Sequence, residues 1–372
     1  MRLQSFLAIL AAALPLVVKC APISHEEIEA NVAQNLRLLS LEEGVEPVWK
    51  TEEEKLDLMR QGVQFFDVTE VYEDEQNFPK MKAALASYPA PSRQAAVRPI
   101  LSTLSTSNMQ SSLSSLTSFN NRYYTTSTGA QASEWILNKV KGYASSRSDI
   151  TVSLYKHSWS QSSVIAKIAG TSASSPVTIL GSHLDSINLN SPSSGRAPGA
   201  DDDGTGTVNL IEAFRALVAS GFKPSTPLEF HWYAGEEAGL LGSQAIATSY
   251  KNSRVDVKAM IEFDIFRPGS TEVIALEADY IDSGLNTFMR SIISSYSSLP
   301  AANDKPCGYA CSDHASWYKA GYPTAMPFEA VTGNDNPYIH STGDTTSVSG
   351  FSWSHSLEFT KVAVAAAYEL TA

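Results

Sequence analysis

Strand-like apolar runs alternate with helical patterns through most of the 372-residue chain, and this alternation limits the folds that it can adopt. The predicted strands are short runs that end close to polar residues: 177–180, 228–234, 260–265 and 273–276. Helical spacing of apolar residues covers the segments around them: 97–118, 130–145, 204–219, 241–250, 285–295 and 357–370. Such alternation predicts an α/β fold in which a mainly parallel central sheet is flanked by helices.

The first 20 residues have the pattern of a secretory signal peptide. Arg2 precedes an apolar run from Phe6 to Val18, which is broken by Pro15 and is too short to span a bilayer comfortably, and Cys20 is a small residue at the predicted cleavage position. No later stretch reaches 18 uninterrupted apolar residues. The sequence therefore predicts a secreted, extracellular protein without a membrane partner.

Residues 21–87 are much more acidic than the rest of the chain, with 15 acidic and 6 basic residues. The Pro-rich stretch 88–92 ends this segment and predicts a boundary before a main domain over 88–372. An acidic segment after a signal peptide indicates a pro-region, and an ordinary N-terminal subdomain is the alternative.

The acidic segment is predicted to fold. A strand is expected over 63–68, and other apolar residues repeat at helical spacing: Ile28, Val32, Leu36 and Leu39. A segment this short buries too little apolar surface alone, so it needs a partner surface on the main domain. We therefore expect it to cover the site and to leave the precursor poorly active.

The overall charge excludes one class of partner. The chain has 27 basic and 39 acidic residues, for a net charge of −12. A surface of this sign does not attract DNA or RNA, so no nucleic-acid partner is expected. The chain is typical of globular proteins, because 43% of its residues are hydrophobic and 18% are charged. We also expect it to be a monomer.

Two of the three cysteines lie four residues apart, at Cys307 and Cys311. If Cys20 leaves with the signal peptide, a small disulfide loop is the default interpretation in an oxidising compartment. The alternative is a three-ligand metal site in which His314 joins the two cysteines.

Histidine, aspartate and glutamate residues gather directly after the predicted strands. They form five clusters: His183 with Asp185, Asp201 to Asp203, Glu236 with Glu237, Asp264, and His340. Sites in α/β sheets form beyond the carboxyl ends of the strands, so these clusters can converge. Taken singly, each cluster also fits a solvated helix terminus, a surface acid or a packed histidine. Taken together, they favour a zinc site, and one bridging carboxylate would allow two metal ions.

Four motifs carry a family resemblance over roughly 90–372: Gly181–Ser186, Pro198–Gly206, Glu236–Ser243 and Cys307–His314. They resemble the two-zinc aminopeptidases of metallopeptidase family 28, and among these most of all the secreted fungal leucine aminopeptidases. The acidic pro-region is similar to that group as well. The resemblance implies two zinc ions per chain and peptide substrates that have a free N-terminus.

The resemblance also implies roles for individual residues. Asp202 would bridge the two zinc ions. The remaining metal ligands would be Glu237 and His340 on one ion, and His183 and Asp264 on the other. Glu236 would be the general base, and Asp185 would orient the imidazole of His183. A cis peptide bond is implied between Asp202 and Asp203.

By the same resemblance, the pocket for the first substrate side chain is largely apolar: Tyr309, Cys311, Ile265, Phe328 and Ile339. Such a pocket suits leucine or another large hydrophobic residue. The chain departs from the family at Glu262, Ile265 and Arg267, where related proteins commonly have Gln, Met and an uncharged residue. These departures are expected to affect side-chain preference and not activity.

Three other functions compete with this interpretation. A glutaminyl cyclase would use one zinc ion, a non-catalytic binding module would have lost ligands, and a carboxypeptidase would act at the other end of the peptide. The full ligand set counts against the first two, and a substrate with a blocked N-terminus would identify the third.

Overall fold

The computed structural model of the chain describes residues 22–76, 87–172, 175–264, 272–308 and 311–372. The predicted signal peptide lies outside the described residues, and so do Ile265, Arg267 and Tyr309. No helix within these ranges combines the length and the apolar character that a membrane span requires.

Residues 22–76, which we call the N-terminal segment, form their own small sheet. Its elements are α1 (His25–Val32), β1 (Leu36–Ser40), β2 (Val48–Thr51), α2 (Glu52–Arg60), β3 (Phe66–Asp67) and α3 (Tyr72–Gln76). Strand β1 lies between β2 and β3 and is antiparallel to both. The helical pattern predicted to continue through Leu36 and Leu39 is wrong there, because both residues belong to β1 and pair with the neighbouring strands.

The rest of the chain contains the predicted alternation of strands and helices. Its strands are β4 (Ile150–Tyr155), β5 (Ser163–Ile168), β6 (Val177–His183), β7 (Leu228–Tyr233), β8 (Val257–Glu262), β9 (Ile274–Leu276), β10 (Ala301–Asn303), β11 (Thr324–Ala325) and β12 (Pro327–Phe328). Its helices are α4 (Gln94–Leu101), α5 (Thr106–Leu116), α6 (Ser127–Ala144), α7 (Gly204–Ala219), α8 (Leu241–Asn252), α9 (Ser283–Tyr296), α10 (His314–Lys319) and α11 (Trp353–Thr371).

A six-stranded sheet in the order β11-β8-β6-β7-β5-β4 forms the centre of the molecule. The pairs from β11 to β7 are parallel, and the pairs β7-β5 and β5-β4 are antiparallel. The predicted α/β fold with a central sheet flanked by helices is therefore confirmed, and the sheet is mixed because a hairpin forms one edge. A smaller sheet, β10-β9-β12, lies beside the carboxyl end of β8, where Asp264 forms an isolated bridge with Phe328.

Strand β6 is buried on both faces, which explains the mainly apolar run from Val177 to Leu180, where Thr178 is the one polar residue. Leu180 belongs to the large core that α7 and α11 cover. Ile179 points to the opposite face, where it belongs to a second cluster with Ile246 of α8 and Trp317 of α10. Helices thus cover both faces and leave the carboxyl edge of the sheet open for a site.

Candidate active site

The carboxyl ends of three neighbouring strands bring the predicted site residues together. Strand β6 ends at His183, β7 leads into Glu236 and Glu237, and β8 leads to Asp264. Because β7 and β8 both lie parallel to β6 and on either side of it, the three ends meet at one edge of the sheet.

The start of α7 is tied directly to the end of β6. Asp203 caps the helix: its Oδ1 accepts a hydrogen bond from the amide of Gly206 at 2.8 Å, and its Oδ2 accepts one from the amide of His183 at 3.2 Å. The hydroxyl of Thr207 donates to the carbonyl oxygen of His183 at 2.8 Å. The peptide bond between Asp202 and Asp203 is cis. These contacts hold Asp202 beside His183.

Five side chains form two groups of three potential ligands that share Asp202. In the first group, Nε2 of His183 lies 3.0 Å from Oδ1 of Asp202 and 3.5 Å from Oδ1 of Asp264. In the second group, Nε2 of His340 lies 3.0 Å from Oδ2 of Asp202 and 3.0 Å from Oε2 of Glu237. The two oxygens of Asp202 therefore face different groups, as bridging two ions requires.

The chemistry of this donor set fits zinc, which binds imidazole nitrogen and carboxylate oxygen. Asp202, Glu237 and Asp264 are each 4% exposed. Oδ1 of Asp264 is buried and has no hydrogen-bond partner among the described residues. Burial raises the pKa of Glu237 to about 7. Buried carboxylates this close together are costly without a compensating cation, so the residues present fit a bound metal.

Asp185 connects the imidazole of His183 to the two glutamates after β7. Its Oδ1 lies 3.4 Å from Nδ1 of His183 and accepts a hydrogen bond from the amide of Glu236 at 3.0 Å. Its Oδ2 accepts a hydrogen bond from the amide of Glu237 at 3.2 Å. Asp185 is fully buried, so one carboxylate fixes both a predicted ligand and the predicted base.

The site opens into a cavity of about 130 Å³. Glu236 is partly buried and lines this cavity together with the five potential ligands. Of the predicted pocket residues, Cys311, Phe328 and Ile339 line it as well. The lining also contains residues that the sequence analysis does not name for the pocket: Met59, Gln64, Phe65, Glu277, Met326, Thr332 and Asp335.

Cys307 and Cys311 form the predicted disulfide, with their Cα atoms 6.2 Å apart. The sulfurs are therefore not available as thiolates, and the three-ligand alternative with His314 is wrong. His314 is fully buried, and burial lowers its pKa to about 4.

Two residues that no sequence motif indicates support Asp202. Asp344 accepts hydrogen bonds from the amides of Asp201 and Asp202, both at 3.1 Å. Arg122 is buried and donates to the carbonyl oxygens of Leu184 at 2.8 Å and Gly199 at 2.8 Å, on both sides of the site. The only signal for Asp344 is its position four residues after His340, and Arg122 lies far from every motif.

The fold and the ligand set define a zinc-dependent peptidase. A model of peptidase family M28 matches residues 163–367, more than half of the chain. The chain belongs to peptidase family M28, and it is a metallo-aminopeptidase.

The relatives cover most of the chain. Leucine aminopeptidase 1 of Neurospora crassa is 41% identical over 338 residues, which cover 87% of this chain and 82% of the relative. Leucine aminopeptidase 1 of Trichoderma harzianum is 39% identical over 387 residues, which cover 98% of this chain and 94% of the relative. The crystal structure of the LapA aminopeptidase of Legionella pneumophila superposes with a TM-score of 0.77 at 28% identity, covering 92% of this chain and 96% of that chain.

A glutaminyl cyclase shares the fold alone. The crystal structure of Porphyromonas gingivalis glutaminyl cyclase matches with a TM-score of 0.56 at 14% identity, over 70% of this chain and 96% of that chain. A likeness at this identity does not carry activity from one protein to the other.

Proposed function

We propose that this metallo-aminopeptidase is a secreted two-zinc enzyme that removes N-terminal leucine, or another large hydrophobic residue, from peptides. The observation that carries the proposal is the pair of ligand groups that share the two oxygens of Asp202. The names of the relatives from Neurospora crassa and Trichoderma harzianum support leucine as a substrate residue. The signal-peptide pattern of residues 1–20 and the disulfide support secretion.

Glu236 is the proposed general base. Its carboxylate accepts a proton from the attacking water and returns it to the leaving amine. Burial raises the pKa of the Glu236 carboxyl well above its ordinary value, which favours the uptake of a proton by this group during the reaction. Zinc bound at the site would polarise the scissile carbonyl and stabilise the charge that develops on its oxygen.

The acidic lining of the cavity supports action at N-termini. Glu236 and Asp335 line the cavity outside the two ligand groups that share Asp202, so a bound metal does not neutralise them and they attract the positively charged α-ammonium of a peptide. A C-terminal carboxylate would meet repulsion in the same place. This charge distribution favours an aminopeptidase over a carboxypeptidase.

A series of amino-acid anilides tests the proposal. We expect the enzyme to hydrolyse leucine anilide, to lose this activity in the presence of a chelator, and to regain it when zinc is added. N-Acetyl-leucine anilide should remain intact, because it lacks the α-ammonium. Elemental analysis should find two zinc ions per chain. One zinc ion together with cyclisation of N-terminal glutamine, or hydrolysis of N-blocked peptides from the free C-terminus, would contradict the proposal.

The N-terminal segment is the proposed pro-region, and its contacts support a covering role. Met59, Gln64 and Phe65 line the same cavity as the ligand groups. Phe65 is 5% exposed and belongs to a cluster with Tyr124 and Leu241 of the main domain. A peptide cannot reach the ligands from this side while the segment occupies it.

Backbone contacts hold the segment close to the residues that follow β7. The amide of Asp67 donates to the carbonyl oxygen of Gly239 at 3.1 Å, and the side chain of Gln244 donates to the carbonyl oxygen of Asp67 at 3.2 Å. Gly239 has a φ of +103°, and a Cβ atom there would lie 2.8 Å from the amide nitrogen of Asp67. The approach of the segment therefore requires glycine at this position.

A precursor that covers residues 21–372 and cannot be cleaved near Tyr88 should be at least about tenfold less active than residues 88–372, measured as kcat/KM on leucine anilide. Phe65→Ala in this precursor should recover part of the activity, because it opens the cavity wall. Val45→Ala is the matched control, since Val45 is 53% exposed and does not line the cavity. Equal kcat/KM for the two forms would leave the segment as a folding aid at most.

A further inference from the structure

An acidic residue lies in the wall of the pocket that the sequence analysis expects to be largely apolar. Glu277 follows β9 directly and is 1% exposed, yet it lines the cavity together with Met326, Phe328 and Ile339. Its backbone is fixed, because its amide donates to the carbonyl oxygen of Met326 at 3.0 Å. The carboxyl group therefore belongs to the buried wall of the pocket and is not a mobile surface side chain.

The two oxygens of Glu277 have different surroundings. Oε1 accepts a hydrogen bond from the amide of Ala278 at 2.7 Å. Oε2 lies 3.0 Å from Sγ of Cys307 and 4.0 Å from Sγ of Cys311. These sulfurs form a disulfide and have no proton to donate. Oε2 therefore faces the disulfide, and the disulfide supplies no hydrogen-bond donor.

The charges around Glu277 are mainly negative. None of the ion pairs between described residues involves it. Burial raises the pKa of Glu277, and so do a hydrogen bond with Asp279 and the charges of Asp279 and Asp304. Asp335 lines the same cavity. The ammonium group of Lys305 instead donates to the carbonyl oxygen of Thr332, which also lines the cavity, at 3.3 Å. A buried carboxyl group in such surroundings is costly unless a cation or a donor pairs with it.

We propose that Glu277 makes this pocket accept a long side chain that ends in an ammonium group, so that N-terminal lysine is a substrate beside leucine. The inference rests on the proposed aminopeptidase function. Met326, Phe328 and Ile339 would pack the methylene stem of the lysine, and Oε2 of Glu277 would accept a hydrogen bond from its ammonium group.

The geometry favours lysine over arginine. A guanidinium group binds a carboxylate best through two parallel hydrogen bonds, and Oε1 of Glu277 is already occupied by the amide of Ala278. An ammonium group is a point charge that needs one oxygen. Arginine anilide should therefore be a poorer substrate than lysine anilide.

The decisive measurement is the ratio of kcat/KM for lysine anilide to kcat/KM for norleucine anilide, which has the same stem without the ammonium group. We expect this ratio to exceed one in the 88–372 enzyme and to fall at least about tenfold in Glu277→Gln, because one charge-assisted hydrogen bond is lost. Leucine hydrolysis by the same variant should change less than about threefold, since leucine does not use the charge.

The pH dependence of the same ratio is a second readout. Burial and a hydrogen bond with Asp279 raise the pKa of Glu277 to about 8. The ratio should therefore rise between pH 6.5 and pH 9, as Glu277 loses its proton while the lysine side chain stays charged. In Glu277→Gln the ratio should not change with pH. Titration of the metal site affects kcat/KM for both substrates equally, so it cancels in the ratio.

Glu272→Gln is the matched control, because Glu272 is exposed, precedes the same strand and does not line the cavity. Asp335→Asn provides a second variant if Glu277→Gln fails to fold, and it should lower the ratio in the same direction by a smaller factor. A ratio that stays within twofold of wild type in both variants overturns the inference. Failure of the wild-type enzyme to cleave leucine anilide at all would instead overturn the proposed function.

Discussion

Replacement of Glu236 by glutamine should lower kcat on leucine anilide by about 10²–10⁴, the usual contribution of general acid–base catalysis. Glutamine keeps the size of the side chain and the backbone hydrogen bond from residue 236 to Asp185, but it cannot take up a proton. Glu236 is not one of the residues in the two ligand groups, so zinc should remain bound. The measurement is kcat at saturating substrate in a variant whose zinc content has been determined.

Glu134→Gln serves as the control for this experiment. Glu134 is an exposed residue of α6 and does not line the cavity, so the same chemical change should leave kcat unaltered. If a fully metallated Glu236→Gln enzyme turned over substrate as fast as the wild type, Glu236 would not be the general base. Loss of zinc together with activity would mean that the glutamate acts on metal binding.

The second large effect is expected for Asp202→Asn. Oδ1 of Asp202 faces His183 and Oδ2 faces His340, so both oxygens are needed to bridge two ions. An asparagine offers one oxygen and one amide nitrogen that does not bind metal. Zinc content should fall from two ions per chain to one or fewer, and kcat/KM should fall by more than about 100-fold, since even the loss of a group that only orients a metal ligand costs about 10–100-fold.

Asp256→Asn is a suitable control for the bridging variant, because Asp256 is exposed and lies outside both ligand groups. Circular dichroism should find the same secondary structure in both variants, since removal of a buried charge does not disturb the helix cap at Asp203. Two zinc ions per chain in Asp202→Asn would show that another residue bridges the metals.

The elements that position the site are largely predictable from sequence. Helix α7 occurs over the predicted residues because Val208, Ile211 and Phe214 repeat at helical spacing and all are buried. Strand β6 is predictable because burial on both faces favours a mainly apolar run, from Val177 to Leu180. The residues after these elements come together because neighbouring parallel strands end at one edge of the sheet.

Other features depend on tertiary contacts that no local pattern contains. The predicted helix over 97–118 is broken into α4 and α5, because the hydroxyl of Ser105 accepts a hydrogen bond from the amide of Asn108 and starts a new helix. Strands β4 and β5 form an antiparallel edge that the sequence analysis does not predict. Glu277 is unpredictable as a pocket residue because its place depends on the pairing of β9 with β12.

The N-terminal segment is attached to the main domain by non-covalent contacts as well as by the chain, so a cut between residues 76 and 88 would not by itself release it. The cut removes one covalent link but leaves the hydrogen bond from Asp67 to Gly239 and the buried ring of Phe65 in place. As the proposed pro-region, the cut segment would then act as a separate inhibitor that obeys mass action, and the fraction of sites that it covers would fall as the solution is diluted. We therefore expect a freshly cut, concentrated preparation to have low activity, to show a lag after dilution, and to have a specific activity that rises as its total concentration falls.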